Sequence, residues 1–385
     1  CVILLTVPRA LVTGGAGLIG SHLVDLLLGR GWEVRILDNL EPATHKGLGG
    51  YRPVWVPRAA EFVNGDIRDA LVDSRAAAAG AFRGVDVVFH QAAFGGFAPN
   101  AARLMTDVNA LGTVTVMEAA RKHGVGKVVV ASSQAVYGYG RIVALEPGGG
   151  LISARRVVER LANAIWEPTS DPYVDVLLSE DHPTDLATPY ALSKWYAERA
   201  ALILGEEYGI PTVALRYALT YGPRQSVSNP YTGICSIFAT RLANGQPPVI
   251  YEDGRQTRDF TYVTDVAAAN LLVTEDARAD GEVFNVGTGI GTTVMDFAWL
   301  LRGELGGPEP VCSGEYRPGD ARHVVCDSSK LRRLGWEPQV GVGEGVARYC
   351  EWFREDSWGA PLPDVGNTLR DAGIGRAQAG HHKQI

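Results

Sequence analysis

The sequence predicts an α/β protein, a doubly wound parallel sheet joined to a smaller C-terminal lobe. Three observations carry that expectation. Short, β-branched apolar runs alternate with longer helical stretches between residues 9 and 133. A glycine triplet stands where the first strand meets the first helix. Finally, 385 residues are too many for one comfortable core and too few for three.

The elements follow in order. RALVT at 9–13 reads as a strand, 18–30 as a helix, EVRILD at 33–38 and EFVN at 61–64 as strands. Next come VDVVFH at 85–90, a helical stretch over 101–123 and KVVVAS at 127–132. Near-continuous apolar strands separated by helices imply a parallel sheet covered on both faces. Residues 139–182 interrupt this rhythm with YGRIVALEPGGG, a basic helix-like stretch ISARRVVERLANAIWE and a Pro/Asp turn region. This is an insertion, either a solvated surface flap or a lid over a substrate. Alternation returns with a helix at 190–208, the strand TVALRY at 212–217 and helices near 234–244 and 264–274. The last thirty or so residues lose periodicity and read as a loosely held tail.

Composition narrows the function. With 46% hydrophobic and 21% charged residues the chain is not disordered as a whole. Its net charge of −7 leaves no cation excess for a dedicated nucleic-acid binder, so an anionic ligand must be held by local arginines. Cys1, Cys235, Cys312, Cys326 and Cys350 form no C-x-x-C pair, so neither a metal site nor a disulfide framework is expected, and a reducing cytoplasm fits. The opening CVILLTVP lacks a basic n-region and runs straight into a strand, which argues against a signal peptide. No stretch approaches the roughly 20 apolar residues that a membrane span requires.

TGGAGLIG at 13–20 places Gly14, Gly17 and Gly20 between a strand and a helix. The first permits a tight turn, the second lets backbone approach a pyrophosphate, and the third lets helix and strand pack closely. Asp38 follows at the end of the second strand, 18 residues after Gly20. A carboxylate there accepts from both ribose hydroxyls and repels a 2′-phosphate, so NAD is favoured over NADP. Asn39 and Leu40 come next, with no arginine to reverse that preference.

YALSK sets Tyr190 and Lys194 four apart at the start of a helix, on one face. A neighbouring ammonium and a bound cationic nicotinamide would both stabilise the phenolate of Tyr190, making it a general base near neutral pH. SSQAVYG at 132–138 ends a predicted parallel strand, where ligands bind in this architecture. Ser133 is the third member of the set, and Ser132 competes for that place.

Together these residues resemble the extended short-chain dehydrogenases/reductases, in the NAD-dependent nucleotide-sugar epimerase/dehydratase family. The resemblance covers about residues 9–350 and breaks at the insertion. It implies a Rossmann-type NAD-binding domain over 1–211 that carries the insertion, a mainly substrate-binding lobe over 212–355 with some segments returning to the Rossmann domain, and a tail at 356–385. It implies further cofactor contacts from Leu18 and Ile19, from Asp66 and Ile67 in NGDIRD, and from Gln91, Ala92 and Ala93 in HQAA. Asn109 in VNALGT and Tyr217 join them. On the substrate side it implies Arg258 and Arg317 on a nucleotide diphosphate, Tyr251 against the base, and Arg224, Asn229 and Asp320 nearby. Guanidinium forks suit phosphate oxygens, which agrees. The helices over 101–122 and 190–208 resemble a pair that forms a four-helix dimer bundle, so a homodimer is expected.

Dehydratases of this family resemble T-D-E after the serine; here Gln134 and Ala135 stand instead, so no acid/base pair is available for elimination. The expectation is NAD-dependent 4-epimerisation of a UDP-, dTDP- or GDP-linked sugar through a 4-keto intermediate. The segment 228–239 most resembles enzymes acting on UDP-sugars or dTDP-6-deoxyhexoses. Ala218 and Leu219 replace the usual F-N after Arg216 and Tyr217, and 57 positions separate Ser133 from Tyr190. Both departures point to an unusual sugar or to a changed outcome, 4-keto reduction or net oxidation. A non-catalytic NAD-binding relative would be expected to lose Tyr190 or Lys194, and both are present.

Overall fold

A computed structural model describes residues 7–42, 44–45, 51–71, 77–95, 100–146, 148–227, 229 and 233–355. The expectations for the opening residues 1–6, Cys1 among them, for most of 228–232 and for the tail at 356–385 lie outside the described residues.

The first half runs β1 (Arg9–Thr13), α1 (Leu18–Gly29), β2 (Glu33–Asp38), β3 (Glu61–Asn64), α2 (Ala77–Gly80) and β4 (Val87–His90). The helical stretch after it is not one regular helix. α3 (Ala102–Met105) passes through a π-helical segment, Thr106–Leu111, into α4 (Gly112–His123). Such wide turns accompany positions where a side chain must be re-aimed, here Asn109. β5 (Lys127–Ser133) follows.

The insertion forms β6 (Arg141–Ala144), β7 (Leu151–Ser153), α5 (Val158–Ala162) and β8 (Tyr173–Asp175). The expected helix over ISARRVVERLANAIWE is therefore corrected. Its first residues pair antiparallel with β6, and only five residues turn helical. β-branched Ile152 suits that pairing, and Pro168 ends any helical continuation.

The second half runs α6 (Pro189–Tyr208), β9 (Thr212–Tyr217), β10 (Leu219–Tyr221), α7 (Ile234–Ala243), β11 (Val249–Ile250) and β12 (Thr257–Tyr262). After α8 (Val263–Glu275) come β13 (Val283–Val286), β14 (Gly291–Thr293), α9 (Val294–Leu305), β15 (Val311–Cys312) and β16 (His323–Val324). α10 (Ser329–Arg332) and α11 (Val342–Glu355) close the described chain.

Seven strands pair in the order β13-β9-β5-β4-β1-β2-β3, all parallel. Alternate side chains bury on opposite faces. Val12, Ile36, Phe89 and Val129 pack with α1 and α8, while Leu11, Leu37, Val88 and Val128 pack with α4 and α6. Strand order reverses between β1 and β4, so the connections there leave in opposite directions and open a crevice at the carboxyl ends. The smaller lobe joins β10, β12, β14 and β16 around a second core containing Tyr221, Phe238, Phe260, Phe297 and Tyr349.

Candidate active site

The crevice at the β1–α1 junction holds a cavity of about 430 Å³. Gly14 adopts φ +66°, and a Cβ there would come within 2.7 Å of the Ala92 backbone. α1 starts after Gly17 with no side-chain cap and no acidic residue in its first turn, so its N–H groups are left for a ligand. Gly14, Gly17, Leu18, Ile19 and Gly20 line this cavity, as do Asp38 and Asn39. Asp38 is 7% exposed, and its carboxylate accepts from the N–H groups of Ala16 at 2.9 Å and Leu40 at 2.8 Å. These bonds aim it into the crevice from the end of β2. A cradle with no room for a Cβ at Gly14 or Gly20, an uncapped helix and a fixed carboxylate at the end of β2 together fit a dinucleotide.

Asp66 and Ile67 line the same cavity. Asp66 accepts from Asn39 Nδ2 at 2.9 Å and from Arg68, whose guanidinium holds the carboxyl below its usual range. Gln91, Ala92 and Ala93 line the cavity as well, together with Tyr217, whose hydroxyl donates to Gln91 at 3.1 Å or Asn270 at 2.9 Å. Asn109 does not line the cavity. It is buried, clamps both backbone polar groups of Phe94 at 2.7 and 2.9 Å, and donates to Ser193 at 3.0 Å. Its part is to tie the loop after β4 to α6.

α6 begins where it does because Thr188 Oγ1 accepts the Ala191 N–H at 3.1 Å and Pro189 occupies the first turn. Tyr190 thus opens onto the crevice with Lys194 one turn behind, 4% exposed. Ser133, the last residue of β5, hydrogen-bonds the Tyr190 phenol. Ser132 is committed elsewhere, donating to Glu198 at 2.7 Å. Lys194 is expected to hold the Tyr190 phenol down. Instead burial pushes the phenol above its ordinary range, opposed by the Ser133 hydrogen bond. Burial also brings Lys194 down to about 8, opposed by the charge of Glu198.

A second cavity, about 410 Å³, meets the first at Ser133, Tyr190, Ala218 and Gly233. Near that meeting point its wall is Gln134, Ala135, Gly138, Ala187, Thr188 and Leu219, without a charged side chain. Tyr251, Arg258, Arg317 and Asp320 also line it, and the Arg317 guanidinium lies 4.7 Å over the Tyr251 ring. Arg258 is fixed by the carbonyls of Ala321, Arg322 and its neighbour Thr257 at 2.8–3.1 Å.

Two expected substrate residues are placed differently. Arg224 lines neither cavity, because its guanidinium pairs with Asp25 of α1 at 2.7 Å. Asn229 lines the first cavity rather than the second. Sequence reasoning missed Glu198, wholly buried and held by Arg216 at 2.7 and 2.9 Å. Its signal was present, since it stands four residues after Lys194 on the same helical face. It also missed Arg241 and Gln256 in the second cavity, for which no spacing offers a cue.

Residues 10–287 match the NAD dependent epimerase/dehydratase family. The chain is 33% identical to the dTDP-L-rhamnose 4-epimerase of Burkholderia thailandensis, over 90% of this chain and 95% of that protein. Among solved structures it resembles the UDP-glucose 4-epimerase of Thermotoga maritima with UDP-glucose, at TM-score 0.73 and 32% identity, covering 90% of this chain and 99% of that one. It also resembles the UDP-glucose 4-epimerase of Thermus thermophilus in complex with NAD, at TM-score 0.70 and 32% identity, with the same coverage.

Proposed function

Because the chain belongs to the NAD dependent epimerase/dehydratase family, we propose that it inverts carbon 4 of a nucleotide-diphosphate sugar. The observation that carries this is the meeting of two cavities at Ser133 and Tyr190, one fitted to a dinucleotide and one lined by arginines. The relatives act on dTDP- and UDP-linked sugars, and these two nucleotides are the candidates for this chain.

NAD, when bound, supplies a hydride acceptor and donor beside the sugar. Tyr190 takes the proton of the C4 hydroxyl and later returns it. Ser133 bridges the same oxygen and keeps the phenol aimed at it. Lys194, kept near the phenol by the turn of α6, supports its anionic form together with the positive charge of the oxidised cofactor. Arg258 and Arg317 grip the diphosphate, so the 4-keto sugar can turn about that anchor and present its other face. Gln134 and Ala135 offer no acid for water loss, which favours epimerisation over dehydration. Glycine-loop residues, Asp38, Asn39, Asp66, Ile67 and the Gln91–Ala93 segment hold the cofactor.

The test is incubation of purified protein with UDP-, dTDP- and GDP-sugars without added NAD. Epimer should form with no net rise in NADH absorbance, and Tyr190→Phe should abolish it. Stoichiometric NADH would instead make the protein a dehydrogenase.

A homodimer in a reducing cytoplasm completes the proposal. α4 and α6 pack side by side, and Leu111, Leu192, Tyr196 and Ile203 are 44–53% exposed on or beside them, an apolar strip suited to a second copy. Cys235, Cys312, Cys326 and Cys350 are free thiols. Light scattering should give a dimer that Ile203→Arg dissociates.

A further inference from the structure

We propose that the insertion is a brace for the nucleotide-sugar cavity, acting through a buried charge cluster in which its Arg156 and Glu167 clasp Glu252 and Arg322. The inference rests on the reading of that cavity given above and assigns the inserted segment a part in it. No described residue of 139–186 lines either cavity, so contact with ligand is not its route. Nor is it wholly a solvated flap, since Ile142, Ala154, Arg156 and Leu161 are buried.

The Arg156 side chain is 1% exposed. It reaches from the link between β7 and α5 into the smaller lobe, donating to Glu252 Oε1 at 2.7 Å and to the Asp320 carbonyl at 2.6 Å. Arg322, also 1% exposed, donates to the other Glu252 oxygen at 3.1 Å and to both Asp253 oxygens at 2.7 and 2.9 Å. Glu167 of the insertion closes the cluster, accepting from Arg322 at 2.7 Å and, on its second oxygen, from Tyr173 at 2.5 Å. His323 lies 3.6 Å from that second oxygen. Two arginines and three buried or half-buried carboxylates, those of Glu252, Asp253 and Glu167, thereby meet across a junction between segments about 90 to 170 residues apart, which only the complete cluster makes tolerable in the interior.

What the cluster holds is the wall of the substrate cavity. Glu252 follows Tyr251 and sits at φ +58°, a left-handed conformation that a glutamate keeps only when its surroundings enforce it. Asp320, whose carbonyl takes Arg156, is itself in the wall, and Arg317 precedes it by three residues. The carbonyls of Ala321 and Arg322 are the ones that fix Arg258. Loss of the clasp frees these groups in the unliganded protein, and a nucleotide diphosphate must then order them on binding. The expected signature is weaker nucleotide binding with an unaltered chemical step. A purely stabilising element would lower the melting temperature without that split.

The experiment uses the full-length NAD-loaded protein and calorimetric titration with UDP and with dTDP, followed by KM and kcat on the preferred sugar. Arg156→Met and Glu167→Gln should each weaken the nucleoside diphosphate and raise KM by about tenfold, with kcat within about twofold. Arg156→Lys should recover part of the loss. Arg155→Met, an equal charge change at an exposed neighbour, should match the parent. Should Arg156→Met fail to fold, Glu167→Gln, at the half-exposed end of the cluster, decides. Folded variants that bind like the parent overturn the brace alone. A parent that binds neither nucleoside diphosphate overturns the reading of the cavity and the brace with it.

Discussion

Gly20→Ala separates two ways in which the glycine loop acts. A Cβ at this position would stand 2.2 Å from the Gly14 carbonyl oxygen, 2.8 Å from Gly15 Cα and 2.9 Å from the Gly14 carbonyl carbon. All three are backbone atoms, so no side chain can swing aside. Restoring ordinary contact at roughly 3.4 Å requires α1 and the loop to part by about 1.2 Å. The same Gly14 oxygen accepts the Gly17 N–H at 3.1 Å, so the turn that meets the pyrophosphate moves with it. Overpacking of this kind costs about 1–3 kcal/mol. If the strain falls on the ligand-ready loop, NAD affinity drops about 5- to 150-fold at 1.4 kcal/mol per decade. The assay is NAD content after purification, calorimetric titration and thermal unfolding of the NAD-stripped protein. Gly17→Ala is the partner variant: its Cβ would meet only the Gly14 oxygen, at 3.3 Å. It should weaken NAD while leaving the stripped protein's melting temperature unchanged, whereas Gly20→Ala lowers both. Parent-like NAD affinity in Gly20→Ala would mean that the loop absorbs the added methyl without moving the turn that meets the pyrophosphate.

Further outcomes are expected at Lys194, Asp38 and Glu198. Turnover should fall as pH rises through about 8, where Lys194 loses its proton, and Lys194→Met should lack that limb in a pH–kcat profile. Because the folded value lies below the roughly 10.4 of an unfolded lysine, the unfolded chain binds the extra proton between those limits. This group therefore makes folding more favourable as pH rises from about 8 to about 10.4, and denaturant titrations of parent and Lys194→Met should differ accordingly. Asp38→Ala should weaken NAD by about 1–3 kcal/mol and shrink the preference over NADP, both read by titration. Glu198→Gln should destabilise the protein by about 3 kcal/mol or more, since it leaves the buried Arg216 short of charge. Adding Arg216→Met should restore part of that in a double-mutant cycle.

The sheet was legible because its strands are short apolar runs whose periodicity and spacing reflect burial on both faces. The cofactor crevice was legible for a different reason: Gly14, Gly20 and Asp38 are local constraints, each dictated by backbone or ribose within a few residues of its own strand. Tyr190 and Lys194 share one helical turn, and that too is written in spacing. The insertion resisted the same treatment. Its apparent helix dissolves because Ile152 finds a strand partner in β6 and Arg156 finds Glu252 some 96 residues away, and no local pattern announces either. Arg224 shows the converse limit, since a guanidinium beside a glycine-proline turn is compatible with phosphate until Asp25 is seen within reach.

The clasp between the insertion and the smaller lobe also orders the birth of the molecule. The segment is synthesised between the strand that ends in Ser133 and the helix that begins near Tyr190, yet its counter-charges at Glu252 and Arg322 emerge long afterwards. Until residue 322 has left the ribosome, Arg156 and Glu167 have no interior to enter. The insertion then waits in water while the sheet forms behind it. A nascent chain stopped before Arg322 would contain every residue of the Ser133–Tyr190–Lys194 set and still lack a settled loop between its first two members. Completion of the C-terminal lobe is therefore the event that finishes the N-terminal one.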